Sequence, residues 1–174
     1  MNHKFDIALS FATENQDLVE KVYHYLKVHN LSVFFAPTNE AQIFLTGRNQ
    51  SEAFYEVFAI KSRYVALFIS EYYIRKEIPM EEANIALLEH KNTGRVIPIY
   101  IDGTRLPVSM LNPRERNYFQ SNNPAEIANH LAEKVRMEEK MEKESMVSGH
   151  NVMNVLGNKG TKQIFVQTWN GSIE

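Results

Sequence analysis

Cysteine is absent from the 174-residue chain. That excludes disulfides, thiolate metal sites and a cysteine nucleophile in one step, and it fits the cytoplasm, where we expect the protein. No apolar stretch approaches the ~20 residues a membrane span needs, so no membrane association is expected. Neither sign of charge dominates: 19 Lys and Arg against 21 Asp and Glu give a formal net charge of -2, without the basic surplus of a nucleic-acid binder. The six histidines are scattered. His24 and His29 stand five apart, and no pair reaches the i, i+4 spacing of helix-borne metal ligands, so no metal is expected. The start, Met1 to Asp6, is polar and runs straight into a strand-like segment, which does not read as a signal peptide. What is present is ordinary for a globular protein: 44% hydrophobic and 23% charged residues, in a chain long enough for one domain plus an appendage.

Strand-like and helix-like segments alternate. Phe5 to Phe11 is a short apolar run that stops at the polar cluster Thr13-Glu14-Asn15-Gln16, as a buried strand does. From about Asn15 to Val28, the positions Leu18, Val19, Val22, Tyr25 and Leu26 recur every three or four residues, one face of a helix that His29-Asn30 ends. Leu31 to Phe35 predicts a second strand, closed by Pro37 and followed by a polar loop. Gln50 to Ile60 predicts a helix with Phe54, Val57 and Phe58 on one side. Tyr64 to Ile69 is the most apolar stretch and reads as a central strand buried on both faces. After a short turn, a helix is predicted near Pro79 to His90, with Pro79 in its first turn. Val96 to Ile101 predicts another strand, and Pro98 argues for an edge or a bulge. Asp102-Gly103 is a turn signal. This alternation predicts a doubly wound parallel α/β sheet, in which ligands bind beyond the carboxyl ends of the strands. The loops after Ser10, Phe35 and Ser70 are therefore the ones to inspect.

The last third differs. Asn123 and Pro124 begin a long helix predicted to about Ser145, with a thin apolar stripe at Ile127, His130, Leu131 and Val135 that Met141 would extend, and a heavily charged second half from Arg136 to Glu144. That half is most simply a solvated helix. Asn151 to Leu156, the turn Gly157-Asn158-Lys159-Gly160, and Gln163 to Gln167 read as a β-hairpin. A lone hairpin is marginal in water, so this one is expected to pair with copies of itself or with a partner. The domain reading is thus 1–122 for the α/β domain, 123–147 for a helix, and 148–174 for a hairpin tail that would serve oligomerisation.

Four blocks resemble the bacterial TIR (Toll/interleukin-1 receptor-like) domain family. Phe5-Asp6-Ile7-Ala8-Leu9-Ser10-Phe11-Ala12 is similar to its opening strand. Leu45-Thr46-Gly47-Arg48 falls at its loop after the second strand, where family members often carry an aromatic in place of Thr46. Arg63 to Ser70, then Tyr73, Lys76 and Glu82, follows its central strand and the next helix. Val96 to Asp102 with Leu106-Pro107 resembles the last strand and its exit. The resemblance covers roughly residues 4–135 and implies a flavodoxin-like doubly wound parallel sheet. The twelve-residue step from Ser70 to Glu82 is that of the family's catalytic Glu. NAD-cleaving members often have Trp four residues before this Glu, where this chain has Ile78.

The resemblance implies that Glu82 is a catalytic carboxylate acting on NAD as substrate, with no cofactor. Ser10, Phe11, Phe35, Arg48 and Ile78 would line the substrate site, Phe11 by stacking on a ring and Arg48 by pairing with a phosphate. It also implies self-association through TIR–TIR contacts, a site completed across two subunits, a separate sensor or effector partner, and a role in bacterial antiphage defence. The product would be ADP-ribose or a cyclic isomer. Structural readings stand beside these. Glu81 and Glu82 fall in the first turn of the predicted helix, where acids are favoured by the macrodipole alone. Phe11 and Phe35 would serve a core, and Arg48 a solvated surface. Two other functions stay open: a non-enzymatic TIR scaffold, which Ile78 favours, and a nucleoside deoxyribosyltransferase-like enzyme, which shares the architecture and also uses a Glu.

Overall fold

The seven residues of β1 (Phe5–Phe11) alternate between two apolar faces. Ile7 and Leu9 pack on one side with α1 (Gln16–Val28), while Ala8 packs on the other. A strand with apolar partners on both faces belongs in the middle of a parallel sheet, and β1 has a neighbour on each side. We describe residues 3–90, 93–110 and 118–155 of a computed structural model, with side chains omitted at 108 and 146–155. The sheet is completed by β2 (Val33–Phe34), β3 (Ser62–Ile69), β4 (Val96–Tyr100) and β5 (Phe119–Gln120). All pairings are parallel and the order is β2-β1-β3-β4-β5. The chain leaves β1 for β2 on one side and returns to β3 on the other. The connections diverge there, and in such sheets this switch point, beyond the carboxyl ends of β1 and β3, is where ligands bind.

The two faces carry separate cores. On one, Val19, Val22 and Leu26 of α1 meet Ile7, Leu9, Tyr64, Ala66 and Phe68, and are joined by Ile127, Leu131 and Val135 of α6 (Pro124–Val155). On the other, α2 (Asn39–Leu45), α3 (Gln50–Tyr55), a π-helical turn (Glu56–Lys61), α4 (Glu71–Arg75) and α5 (Glu77–Glu89) place Ala41, Phe54, Val57, Phe58, Tyr73, Ala83 and Ala86 against Ala8, Val65, Leu67 and Ile69.

Local signals explain most boundaries. Asn30 adopts φ 61° just past the end of α1, a left-handed position that Asn tolerates better than most residues. Asn123 caps α6, its Oδ1 accepting from the backbone N–H groups of Ala125 (2.9 Å) and Glu126 (3.3 Å), ahead of Pro124 at the first helical position.

Four expectations are corrected. The stretch after Pro37 is not all loop: α2 forms there, capped by Thr38, whose Oγ1 accepts from the Ala41 N–H. The turn after Ser70 contains α4, capped by Ser70 itself. The strand with Pro98 is not the edge strand of the sheet, because β5 lies outside it, and its one-to-one register with β3 leaves no bulge. β5 pairs only with Ile99 and Tyr100, so β4 has a single neighbour at Pro98 and the missing N–H is tolerated. Finally, α6 continues to Val155, so residues 151–155 are helical rather than the first arm of a hairpin. The predicted second arm, Gln163 to Gln167, lies outside the described residues.

The chain divides into two compact units, Met1–Arg136 and Met137–Glu174. Among the described residues no helix is long and apolar enough to cross a membrane.

Candidate active site

The exit of β1 brings a small polar residue to this switch point. Ser10 shares the face of Ala8, by the period-two alternation of a strand, and is fully buried. Its register partner on β3 is Leu67, and β3 ends two residues later at Ile69. Ser70 then turns the chain into α4, its Oγ accepting from the Tyr73 N–H at 3.1 Å and donating to Asn15 Oδ1 at 2.7 Å. The second bond ties the segment after β1 to the end of β3. One turn into α4, the Tyr73 hydroxyl lies 2.6 Å from Ser10 Oγ. Ser10 Oγ in turn donates to Glu82 Oε2 at 2.6 Å. Three side chains from β1, α4 and α5 thus form one buried chain of hydrogen bonds at the point where the sheet order reverses.

Glu82 is only 8% exposed. Because α5 begins at Glu77 rather than Pro79, Glu82 sits in the second helical turn, beyond the region where the macrodipole helps an acid most. Burial pushes its carboxyl up to about 8, the Ser10 hydrogen bond opposes that rise, and the neighbouring Glu81 charge adds to it. The carboxyl is held protonated through most of the neutral range until something cationic approaches or the site opens. Burial likewise drives the Tyr73 hydroxyl well above its ordinary value, with the Glu82 charge adding to it, so Tyr73 keeps its proton.

The rim is polar. Glu14, in the segment after β1, pairs with Lys76 at the α4–α5 junction at 2.8 Å, and that pairing holds the Glu14 carboxyl low. Ser51 at the start of α3 donates to Glu81 Oε1 at 2.6 Å, tying α3 to the turn of α5 that carries Glu82. Asp102, past the end of β4, accepts from the Glu71 N–H at 2.8 Å and so anchors the start of α4.

The residues anticipated from sequence divide into separate groups. Ser10 and Glu82 meet directly. Phe11 and Phe35 meet each other instead: their rings stack at 5.4 Å, and Phe35 stacks on Tyr23 of α1 at 5.0 Å. This aromatic column lies on the α1 face, opposite Ser10, because consecutive strand residues point to opposite faces. Phe35 is 2% exposed. Arg48 pairs with Glu56 and lies 4.4 Å over the Phe44 ring. Ile78 is 47% exposed on the first turn of α5. Sequence reasoning gave no site role to Tyr73. Its signal was present, since a Tyr three residues after a capping Ser is returned over the end of β3 by a single helical turn. Among the described residues no cluster of three or more His, Asp or Glu could hold a metal ion.

A sequence profile of the TIR domain matches residues 7–147. The chain belongs to the TIR domain family. A curated relative, the 3' cyclic ADP-D-ribose synthase AaTIR of Aquimarina amphilecti, is 32% identical over 108 residues, a stretch covering 61% of this chain and 32% of that protein. The chain thus spans about a third of the length of that relative. Among solved structures, the TIR domain of the Toll-related receptor TRR-2 from Hydra magnipapillata superposes with a TM-score of 0.54 at 14% identity, covering 67% of this chain and 83% of that one. At that identity the likeness bears on the fold, and it agrees with the five-stranded parallel TIR sheet described above.

Proposed function

We propose that this TIR protein cleaves the bond between nicotinamide and ribose in NAD, with Glu82 as the catalytic carboxylate and no cofactor. The observation that carries the reading is the placement of a buried carboxylate, bonded to Ser10, at the switch point of a TIR sheet; the relative that makes a cyclic ADP-ribose supports it. As the C1'–N bond breaks, positive charge builds on the ribose and nicotinamide leaves with the bonding electron pair as a neutral molecule. An ionised Glu82 stabilises that charge. Water attacking C1' gives ADP-ribose and releases a proton. An adenine nitrogen or a ribose hydroxyl attacking instead gives a cyclic product. Self-association through TIR–TIR contacts, a separate sensor or effector, and a place in cytoplasmic antiphage defence belong to the same proposal. Ile78, where NAD-cleaving members often carry Trp, favours the alternative of a TIR scaffold without turnover.

The protonation of Glu82 gives the reading a pH signature. The free enzyme needs this carboxyl ionised, so kcat/KM for NAD should rise about tenfold per pH unit at acid pH and level off near pH 8. The positively charged nicotinamide ring of bound NAD favours the ionised form, so the midpoint in kcat should lie lower. The test is nicotinamide release from NAD at high protein concentration, followed from pH 5 to 9, with deoxynucleosides in parallel. Base release from deoxynucleosides but not from NAD would replace this reading with the deoxyribosyltransferase one. Turnover of neither, with self-association intact, would favour the scaffold.

A further inference from the structure

We propose that Tyr73 is a positioning residue that, acting through Ser10, favours the ionised form of Glu82 against its burial and fixes the orientation of its carboxylate. The inference deepens the reading above and rests on it for its consequence in catalysis, though not for its physical test.

Tyr73, Ser10 and Glu82 are joined by two links, each 2.6 Å long. With Glu82 ionised, the group carries two hydrogens for those two links. Ser10 Oγ–H donates to Glu82 Oε2, and the Tyr73 hydroxyl, whose own proton is firmly held, donates to Ser10 Oγ. Every hydrogen has an acceptor and all run one way, from Tyr73 to the carboxylate. Protonating Glu82 adds a third hydrogen to the same two links and leaves one without an acceptor inside the group. An unmatched buried donor is costly, and a one-way chain ending on a charge strengthens each of its bonds. Tyr73 and Ser10 are both fully buried, so water does not stand in for either partner.

The other groups around Glu82 do not supply this bias. Glu81 on the same helix opposes ionisation and is itself engaged by Ser51 of α3. Glu14, from the segment after β1, and Lys76, from the α4–α5 junction, form a neutral pair. Ser10 alone donates one hydrogen to the carboxylate, but nothing else among the described contacts to its oxygen turns that hydrogen toward Glu82. Tyr73 occupies the acceptor side of Ser10 Oγ and so aims its donor at Glu82.

The test is a carbon-13 titration of the Glu carboxyl carbons in the full chain, with the Glu82 resonance assigned by its loss in Glu82→Gln. Tyr73→Phe keeps the ring that packs in the core and removes only the hydroxyl. It should raise the Glu82 midpoint by roughly half to one pH unit. Ser10→Ala should raise it at least as far. Tyr73→Phe added to Ser10→Ala should then change nothing more, because the hydroxyl acts only through Ser10. An unchanged or lowered midpoint in Tyr73→Phe overturns the inference, and so does an additive shift in the double variant. If Tyr73→Phe fails to fold, the position of the Glu82 midpoint in Ser10→Ala decides. Where NAD is turned over, the midpoint of kcat/KM should move with the resonance. Where it is not, the reading of function fails while the titration still decides the role of Tyr73.

Discussion

Replacing Glu82 with Gln should stabilise the protein at alkaline pH, and progressively less as the pH falls. In the fold the carboxyl is pushed from 4.5 to about 8 by burial, with the Ser10 bond opposing and Glu81 adding. The native state therefore binds a proton more tightly than the unfolded chain. Stability falls with pH wherever the native state holds the extra proton. This contribution is harmless below pH 4.5, grows costly as pH climbs, and is fully developed above pH 8. Each tenfold difference in proton affinity is worth about 1.4 kcal/mol, so the wild type carries a penalty of about 4–5 kcal/mol at pH 9 that Gln does not. Gln retains an oxygen to accept from Ser10, but its buried amide needs acceptors of its own, at about 1–3 kcal/mol. Thermal unfolding followed from pH 4 to 9 should show the two proteins diverging with pH, by on the order of 10 °C at the alkaline end for a domain of this size. Parallel curves would mean that Glu82 is not desolvated as described. A site residue whose removal stabilises the fold is the usual sign of a group kept for function.

Leu131→Ala should destabilise the first compact unit by about 2–5 kcal/mol. Leu131 is fully buried, and with Ile127 and Val135 it packs into the core formed by α1 and one face of the sheet. Truncation leaves a cavity that the neighbouring strand and helix side chains fill only in part. Met141, on the same helix but 60% exposed, is the control, and Met141→Ala should stay within about 0.5 kcal/mol of wild type. Urea unfolding of both variants gives the comparison. Equal, small effects would remove α6 from the core of the TIR unit.

The sheet strands were the most legible part of the chain because burial on both faces demands unbroken apolar runs. Phe5–Phe11 and the run ending at Ile69 were readable for that reason. The short helices α2 and α4 were not, since five to seven residues hold too little periodicity and depend on a single cap, Thr38 or Ser70. The alternation over Asn151 to Leu156, with the β-branched Val152 and Val155, suggested a strand. Helix α6 nevertheless runs through them, which shows how weak a guide local propensity is. In the candidate site, the family spacing pointed to Glu82 and the strand exit to Ser10, and the two side chains are hydrogen-bonded. The alternation that sends Ser10 toward α5 also sends Phe11 to the opposite face, where it stacks on Phe35. The expectation that Ser10 and Phe11 both line one site rested on their place at the strand exit, whereas their side chains lie on opposite faces of the sheet. Tyr73 escaped notice because its role depends on a hydroxyl reaching back from α4 to β1, a distance of 63 residues in sequence.

The most direct test of the account is nicotinamide release from NAD by concentrated wild-type protein and by Glu82→Gln, resolved by chromatography, with the folding and self-association of both verified. The wild type should release nicotinamide together with ADP-ribose or a cyclic isomer as the co-eluting nucleotide. The variant should lose at least about a hundredfold of that release despite its greater stability at alkaline pH. Release by the variant at the wild-type rate would contradict this reading, because the bond would then be broken without the carboxylate buried at the switch point.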